Sequence, residues 1–140
     1  MREIKYIVLH CTATQPNATV ESIKNYWKNT LKWSNPGYHY LIGSDGFIHE
    51  LLPEEKVSNG VAGYNLNSVH VSYIGGVDKT GAPKDTRTPQ QLASMKSIVQ
   101  RLKDKYPEAK TLGHRDFPRV KKACPSFDVS NWLLIEGLFN

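Results

Sequence analysis

Two histidines and one cysteine that lie far apart in the sequence form a candidate metal site. His10 closes the apolar segment Tyr6–Leu9, and His114 and Cys124 bracket a short basic loop. Zinc in proteins is usually held by imidazole nitrogen and thiolate sulfur, and a catalytic site keeps three protein ligands and a fourth position open to water. These residue types therefore predict one zinc ion bound by His10, His114 and Cys124.

Each of these residues also has a purely structural interpretation. A single histidine at a strand end is more often structural than metal-binding, and Cys124 could instead pair with Cys11, the only other cysteine. A lone pair of cysteines without a secretion signal argues against a disulfide scaffold, so we expect free thiols. Because side chains alternate across a strand, His10 and Cys11 should face opposite ways, and only His10 is expected to join the site.

Lys122 stands two residues before Cys124, where its ammonium group could lie beside the metal as a fixed positive charge. The alternative is an ordinary solvated lysine, because Arg119 and Lys121 belong to the same basic loop. The residues alone favour the solvated lysine.

Composition favours a compact globular domain with a mildly basic surface. The 140 residues are enough for one domain with a moderate core, and 39% of them are hydrophobic. The net charge of +5 favours anionic partners such as an acidic cell-wall polymer, or it is simply a solvated surface. No arginine-rich run or basic helix indicates nucleic acid. No segment is apolar and long enough to span a bilayer, and Met1–Ile4 does not open a signal peptide, so we expect synthesis in the cytoplasm.

Hydrophobic periodicity and turn residues predict strands that alternate with helices. Thr19 can cap the first helix, and Thr88, Pro89 and Gln91 form the start signal of the second. The sequence around Ser44-Asp45-Gly46 is typical of a hairpin turn. The predicted elements, in chain order, are a strand at 5–9, a helix at 17–33, hairpin strands at 38–42 and 47–51, a loop at 53–67, a strand at 69–74, a helix from 88 to about 106, a short strand at 111–112 and a helix from Asp128.

This order predicts an α/β fold: a single mixed central sheet of about five strands, with three main helices packed on its faces. His10 and His114 each follow the C-terminal end of a predicted strand. Sheets of this kind tend to place their functional sites at that edge. The two halves of the candidate metal site are therefore expected to meet there.

Four sequence motifs, taken together, resemble those of a known family. They are Leu9–Thr14 (LHCTAT), Gly37–Tyr40 (GYHY), Gly63–Ser68 (GYNLNS) and Lys122–Asp128 (KACPSFD). In this order they resemble the zinc-dependent N-acetylmuramoyl-L-alanine amidases, the group that includes amidase-type phage lysozymes and peptidoglycan recognition proteins. The resemblance extends from Tyr6 to about Trp132, and the KACPSFD motif is its most specific part.

The resemblance implies a function and a set of residue roles. His10, His114 and Cys124 would hold one Zn²⁺ ion, and Tyr38 and Lys122 would be the catalytic pair. Residues 1–140 would form a single zinc amidase domain. It would hydrolyse the amide bond between N-acetylmuramic acid and L-alanine in bacterial peptidoglycan, as a monomer that needs neither nucleic acid nor membrane. Action on the cell wall after phage-type release fits these properties, and a prophage remnant, a recycling enzyme or an exported effector fits them equally.

Two other classes of protein remain as alternatives. A non-catalytic peptidoglycan receptor could share the scaffold, although such receptors typically lack a metal ligand, most often the cysteine. A basic metal-dependent nuclease would fit the positive charge, but the sequence has no carboxylate-rich magnesium site to support it.

The sequence departs from the family pattern in the loop before the GYNLNS motif. Relatives commonly carry a histidine there, whereas this chain has Gly60. His39 should face away from the metal if Tyr38 faces it, as a core or supporting residue. His49 and His70 match no family role, and we expect them to be structural or surface residues.

Overall fold

A mixed β-sheet forms the centre of the computed structural model, which describes residues 2–140. Its five strands lie in the order β3-β2-β4-β1-β5. Strands β2, β4, β1 and β5 are parallel to one another, and β3 is antiparallel to β2. The strands are β1 (Tyr6–Cys11), β2 (Tyr40–Ile42), β3 (Ile48–Glu50), β4 (Ser68–Tyr73) and β5 (Lys110–Gly113).

Helices cover both faces of this sheet. The three α-helices are α1 (Val20–Asn25), α2 (Pro89–Lys105) and α3 (Val129–Glu136). Helices α2 and α3 pack against one face, where their apolar side chains join those of Ile7 and Leu9 in the largest core cluster. Helix α1 packs against the opposite face, where Ile23 contacts the cluster around Leu41. The mixed sheet and the three helices predicted from the sequence are confirmed.

The first helix is shorter and less regular than predicted. Thr19 caps it as expected, through a hydrogen bond from the backbone N–H of Ser22. The α-helix ends at Asn25, and a π-helical turn (Tyr26–Thr30) follows, in which the backbone N–H of Leu31 donates to the carbonyl of Tyr26 at 3.0 Å. The apolar spacing that predicts a helix over 17–33 does not distinguish α from π geometry, so this boundary was wrong.

The second helix agrees closely with its sequence signals. Thr88 and Gln91 form the capping box, and Pro89 occupies the first helical turn. The fully buried Gln91 side chain also donates to the carbonyls of Ile42 and Ile74, which fastens the start of α2 to the ends of two segments of the sheet. Gln91 therefore both caps the start of α2 and fixes the position of the helix on the sheet.

The parallel strands β1 and β5 place His10 and His114 at the same edge of the sheet. Strand β1 runs to Cys11, so His10 lies inside the strand and not beyond its end as the sequence suggested. His114 immediately follows β5, which pairs with β1. Within residues 2–140, no helix combines the length and the apolar character that crossing a membrane requires.

Candidate metal centre

The two histidines and the cysteine converge on one point at this edge. One ligand atom from each of His10, His114 and Cys124 lies within 4.8 Å of the others. His10 Nδ1 is 3.7 Å from the Cys124 Sγ, and the ring centroids of His10 and His114 are 4.9 Å apart. The fold thus brings together a residue of a strand, a residue at a strand end and a residue of a distant loop, in a group that could hold a metal ion.

Local hydrogen bonds hold the C-terminal half of this group. His114 begins a short 3₁₀ turn in which the carboxylate of Asp116 accepts from the backbone N–H of Gly113 at 2.7 Å. The backbone N–H of Arg115 donates to the carbonyl of Cys124 at 2.9 Å. These bonds tie the loop that carries Cys124 to the end of β5, so the two ligands are positioned relative to each other before any ion binds.

Cys124 is a buried thiol that is hydrogen-bonded to Cys11. Both cysteines are buried free thiols, as expected from the sequence. Cys11 belongs to the apolar core cluster on the face opposite His10, but its backbone N–H donates to the Cys124 Sγ at 3.2 Å. The side-chain hydrogen bond with Cys11 and burial raise the pKa of Cys124. A bound cation would reverse this effect, because coordination deprotonates a thiol.

Tyr38 lies beside His10, with ring centroids 5.0 Å apart. It precedes β2, so its direction is set by the loop and not by strand alternation as the sequence suggested. Its hydroxyl donates to the carbonyl of Cys11 at 3.1 Å, and Trp27 packs edge-on against its ring at 5.3 Å. Burial raises the pKa of Tyr38, so the phenol is neutral and acts as a hydrogen-bond donor near neutral pH.

Lys122 is exposed and lines the same cleft as the three candidate ligands. After burial, its positive charge is a further cause that lowers the pKa values of His10 and His114. The cleft has a volume of about 670 Å³, and Trp27 and Trp33 contribute to its wall. It is therefore large enough for a small-molecule ligand, and the exposed ammonium group of Lys122 lies in the same cleft as the candidate metal ligands.

His70 has a role that the sequence analysis missed. It is fully buried, and its Nδ1 lies 2.8 Å from His10 Nε2. Its Nε2 lies 2.9 Å from the Asn65 Oδ1. We expected His70 to be a structural or surface residue, and it is a buried one whose contact with His10 the sequence analysis did not predict. The register of β4 against β1 pairs His70 with Val8, which puts it on the face that His10 shares, and this pairing is the signal that could have found it.

The His70 ring also explains why a glycine stands at position 60, where relatives commonly carry a histidine. A Cβ atom placed on Gly60 would lie only 2.3 Å from His70 Nδ1, so the ring of His70 occupies the space that a side chain at position 60 would need. His39 is fully buried behind it and accepts from the backbone N–H of His70, as expected for a core residue. His49 lies on β3 against Phe47, away from the cleft.

The sequence agrees with one protein family along most of its length. Residues 1–127 match the family model described as N-acetylmuramoyl-L-alanine amidase. The chain belongs to this family. The predicted resemblance is confirmed by the match, which includes His10, His114 and Cys124.

Individual relatives of this N-acetylmuramoyl-L-alanine amidase family member include phage endolysins. The endolysin of Enterobacteria phage K11 is 35% identical over 134 residues, covering 94% of this chain and 87% of that protein. The solved structure of the N-acetylmuramoyl-L-alanine amidase LysC from Clostridium intestinale URNW aligns with a TM-score of 0.82 and 26% identity, covering 98% of this chain and 87% of that one. Peptidoglycan-recognition protein SC1a of Drosophila melanogaster is 27% identical over 103 residues, covering 69% of this chain and 53% of that protein.

Proposed function

We propose that residues 1–140 form a single zinc amidase domain that hydrolyses the bond between N-acetylmuramic acid and L-alanine in bacterial peptidoglycan. The observation that carries the proposal is the convergence of His10, His114 and Cys124 beside an open cleft in a member of this family. The endolysin relatives support an enzyme that acts on the cell wall, and the net charge of +5 suits an acidic wall polymer.

The donor set fits one Zn²⁺ ion. A tetrahedral zinc that holds nitrogen at about 2.0 Å and sulfur at about 2.3 Å separates those atoms by about 3.5 Å. The distance from His10 Nδ1 to the Cys124 Sγ is 3.7 Å, close to this value. Two imidazoles and one thiolate leave a fourth position open, which is the arrangement of a catalytic site. When bound there, Zn²⁺ would supply a Lewis acid that makes water acidic near neutral pH.

Lys122 would stabilise the charge that develops on the carbonyl oxygen of the scissile amide. Its side chain lines the cleft and forms no ion pair within residues 2–140, so it can reach substrate without breaking one there. A well-placed donor to such an oxyanion commonly contributes about 3–4 kcal/mol to the transition state. Lys122 is therefore assigned to bind the oxyanion.

Tyr38 would orient the attacking water and supply a hydrogen bond to the departing amine. Burial keeps the phenol protonated, so we assign Tyr38 as a donor and not as a general base. The single proton of its hydroxyl is donated to the Cys11 carbonyl in the resting structure, so the phenol would turn from this carbonyl to the amine as the bond breaks. This carbonyl fixes the phenol in the resting enzyme.

A peptidoglycan receptor without catalysis is the second candidate, supported by the similarity to a peptidoglycan-recognition protein. The complete ligand set favours the enzyme, because a receptor needs no thiolate ligand to bind sugar and peptide. We propose peptidoglycan as the partner of a monomer in either case, without nucleic acid or membrane.

A cell-wall assay separates the two functions. Purified peptidoglycan should clear in the presence of the protein and release new L-alanine amino termini, clearing should stop with a chelator, and zinc should restore it. Mass spectrometry of the products should show stem peptides with a free L-alanine amine and glycan whose N-acetylmuramic acid carries a free lactyl carboxylate. Saturable binding without new amino termini would instead establish the receptor.

Two cysteine variants make this assay specific for the proposed site. Cys124→Ser should lose zinc and activity together. Cys11→Ala removes the neighbouring buried thiol, which is no proposed ligand, and should keep both.

A further inference from the structure

We propose that Asn65 and His70 form a hydrogen-bond relay that fixes the tautomer and ring orientation of His10, and that Gly60 is required because the His70 ring fills its side-chain space. The proposal deepens the metal site and rests on the proposed function for its consequence in catalysis. In this relay His70 is a positioning residue, since it acts on the metal through His10.

The contacts of Asn65 determine which atoms of the relay donate and which accept. The backbone N–H of Val61 lies 2.7 Å from the side-chain atom Oδ1 of Asn65, and a backbone N–H can only donate, so this atom is the amide oxygen. The same oxygen lies 2.9 Å from His70 Nε2. Because an amide oxygen carries no proton, His70 Nε2 must be the donor.

The second step passes from His70 to His10. A neutral imidazole that carries its proton on Nε2 has a bare Nδ1, which can only accept. His70 Nδ1 lies 2.8 Å from His10 Nε2, so the proton of His10 resides on Nε2. The lone pair of His10 is then left on Nδ1, the atom that lies 3.7 Å from the Cys124 Sγ. The protonation pattern set by Asn65 is thus the one that metal ligation through Nδ1 requires.

The surroundings leave the relay no alternative partners. His10 is 1% exposed and His70 is 0% exposed, so bulk water does not compete for their nitrogens. The His39 ring stacks on His70 with planes 7° apart, and its Nδ1 accepts from the His70 backbone N–H at 3.0 Å. The His70 ring is therefore held on one side by His39 and at both of its nitrogens by hydrogen bonds.

Gly60 completes the arrangement by leaving room for the ring. A Cβ on Gly60 would lie 2.3 Å from His70 Nδ1 and 2.4 Å from its Cε1, closer than non-bonded carbon atoms approach in proteins. Gly60 is not among the glycines with positive φ, so the requirement is for space and not for an unusual backbone conformation. An alanine here would push the His70 ring away from His10.

Paired substitutions at His70 test the relay. His70→Leu fills the space without a hydrogen-bond acceptor, whereas the amide oxygen of His70→Asn can lie near the position of Nδ1 and accept from His10. Removing such a supporting partner typically weakens metal binding by about 10–100-fold. We expect that loss in zinc affinity, measured by competition with a chelator, for His70→Leu, and recovery to within about threefold of the parent for His70→Asn.

A spectroscopic readout on metal-free protein tests the tautomer directly. Long-range ¹H–¹⁵N spectra should show the parental His10 and His70 protonated at Nε2, and His70→Asn should preserve this state of His10. Mixed tautomers of His10 in the parent, or parental zinc affinity in His70→Leu, would overturn the relay. These readouts do not depend on peptidoglycan hydrolysis, so a protein with an intact relay and no amidase activity would refute the proposed function alone.

A double-mutant cycle tests the role of Gly60. Gly60→Ala should weaken zinc binding at least tenfold in the parental protein, and should have little further effect in His70→Ala, where the space is free. Independent, additive losses in the two backgrounds would show that the His70 ring does not explain the glycine.

Discussion

His10 Nδ1 lies 3.7 Å from the Cys124 Sγ, although 114 positions separate the two residues in the sequence. This contact joins the first strand of the sheet to the loop that precedes α3. An ion bound between them would therefore hold together segments from opposite ends of the chain. A ligand that binds the native state and not the unfolded state stabilises the native state by mass action.

Zinc should raise the stability of the protein, because the three ligands meet only in the folded chain. The gain should be about 4 kcal/mol in the free energy of unfolding when free zinc is about 1,000 times its Kd. Thermal unfolding with zinc and with chelator would measure it as a rise in Tm. Cys124→Ser should abolish the zinc-dependent rise, while Cys11→Ala should retain it; an equal rise in all three proteins would place the ion elsewhere.

Lys122→Ala should retain zinc but lose turnover. We expect kcat to fall by about 10²–10³-fold, the usual effect of removing one oxyanion donor. Zinc content by metal analysis and kcat on a soluble muropeptide would separate the two properties. Lys121→Ala is the matched control, because Lys121 is exposed in the same loop but does not line the cleft. A parental rate for Lys122→Ala would remove Lys122 from the mechanism.

Tyr38→Phe should lower kcat and leave zinc binding intact. The ring contacts with His10 and Trp27 remain in this variant, and only the hydroxyl that donates to the Cys11 carbonyl is lost. A positioned proton donor typically contributes about 10²–10⁴-fold to a reaction, so the loss should fall in that range. Tyr6→Phe, outside the cleft, serves as the comparison. Equal rates in the two variants would argue against a chemical role for the Tyr38 hydroxyl.

Glu54 should make the stability of the protein depend on pH in the acid range. Burial opposes its ionisation, but hydrogen bonds from Tyr106, Tyr40 and Lys105 outweigh burial and hold the pKa of Glu54 below its ordinary value. The carboxylate therefore contributes stability above its unfolded-state pKa of about 4.3, and this contribution is lost as pH falls through the lower native pKa.

Urea unfolding of Glu54→Gln would measure this contribution. The parent should exceed the variant in free energy of unfolding at neutral pH, and the difference should shrink as the pH is lowered toward about 3. Glu55→Gln removes an exposed neighbouring carboxylate and should change little. A parent–variant difference that stays constant across the acid range would contradict a lowered pKa for Glu54.

The sequence was most informative where a signal is local or where a residue type is chemically rare. Thr88, Pro89 and Gln91 carry the start of α2 within four residues, and the structure uses them as predicted. The two histidines and the cysteine were found because few other side chains suit a metal. The π-helical turn after Asn25 was missed because the apolar residues around it have nearly the same spacing as in an α-helix.

The support for His10 was missed for a different reason. His70 reaches His10 only through the parallel pairing of β4 with β1, and that register is a property of the assembled sheet. The role proposed for Gly60 also has no local signal in the sequence, because its backbone needs no positive φ and the space it leaves is filled by a residue ten positions away. Both features follow from three-dimensional neighbours and not from any local pattern.

His70 belongs to a buried strand, and this position affects which parts of the protein can change during evolution. An inner strand of a sheet is among the least mutable parts of a domain, whereas surface loops accept insertions and substitutions readily. Strand β4 carries the ring that we propose steadies His10, so this support lies on a segment whose residues are all buried. Substitutions elsewhere in the surface loops can therefore accumulate without displacing the ring, provided that Gly60 and Asn65 keep their places beside it.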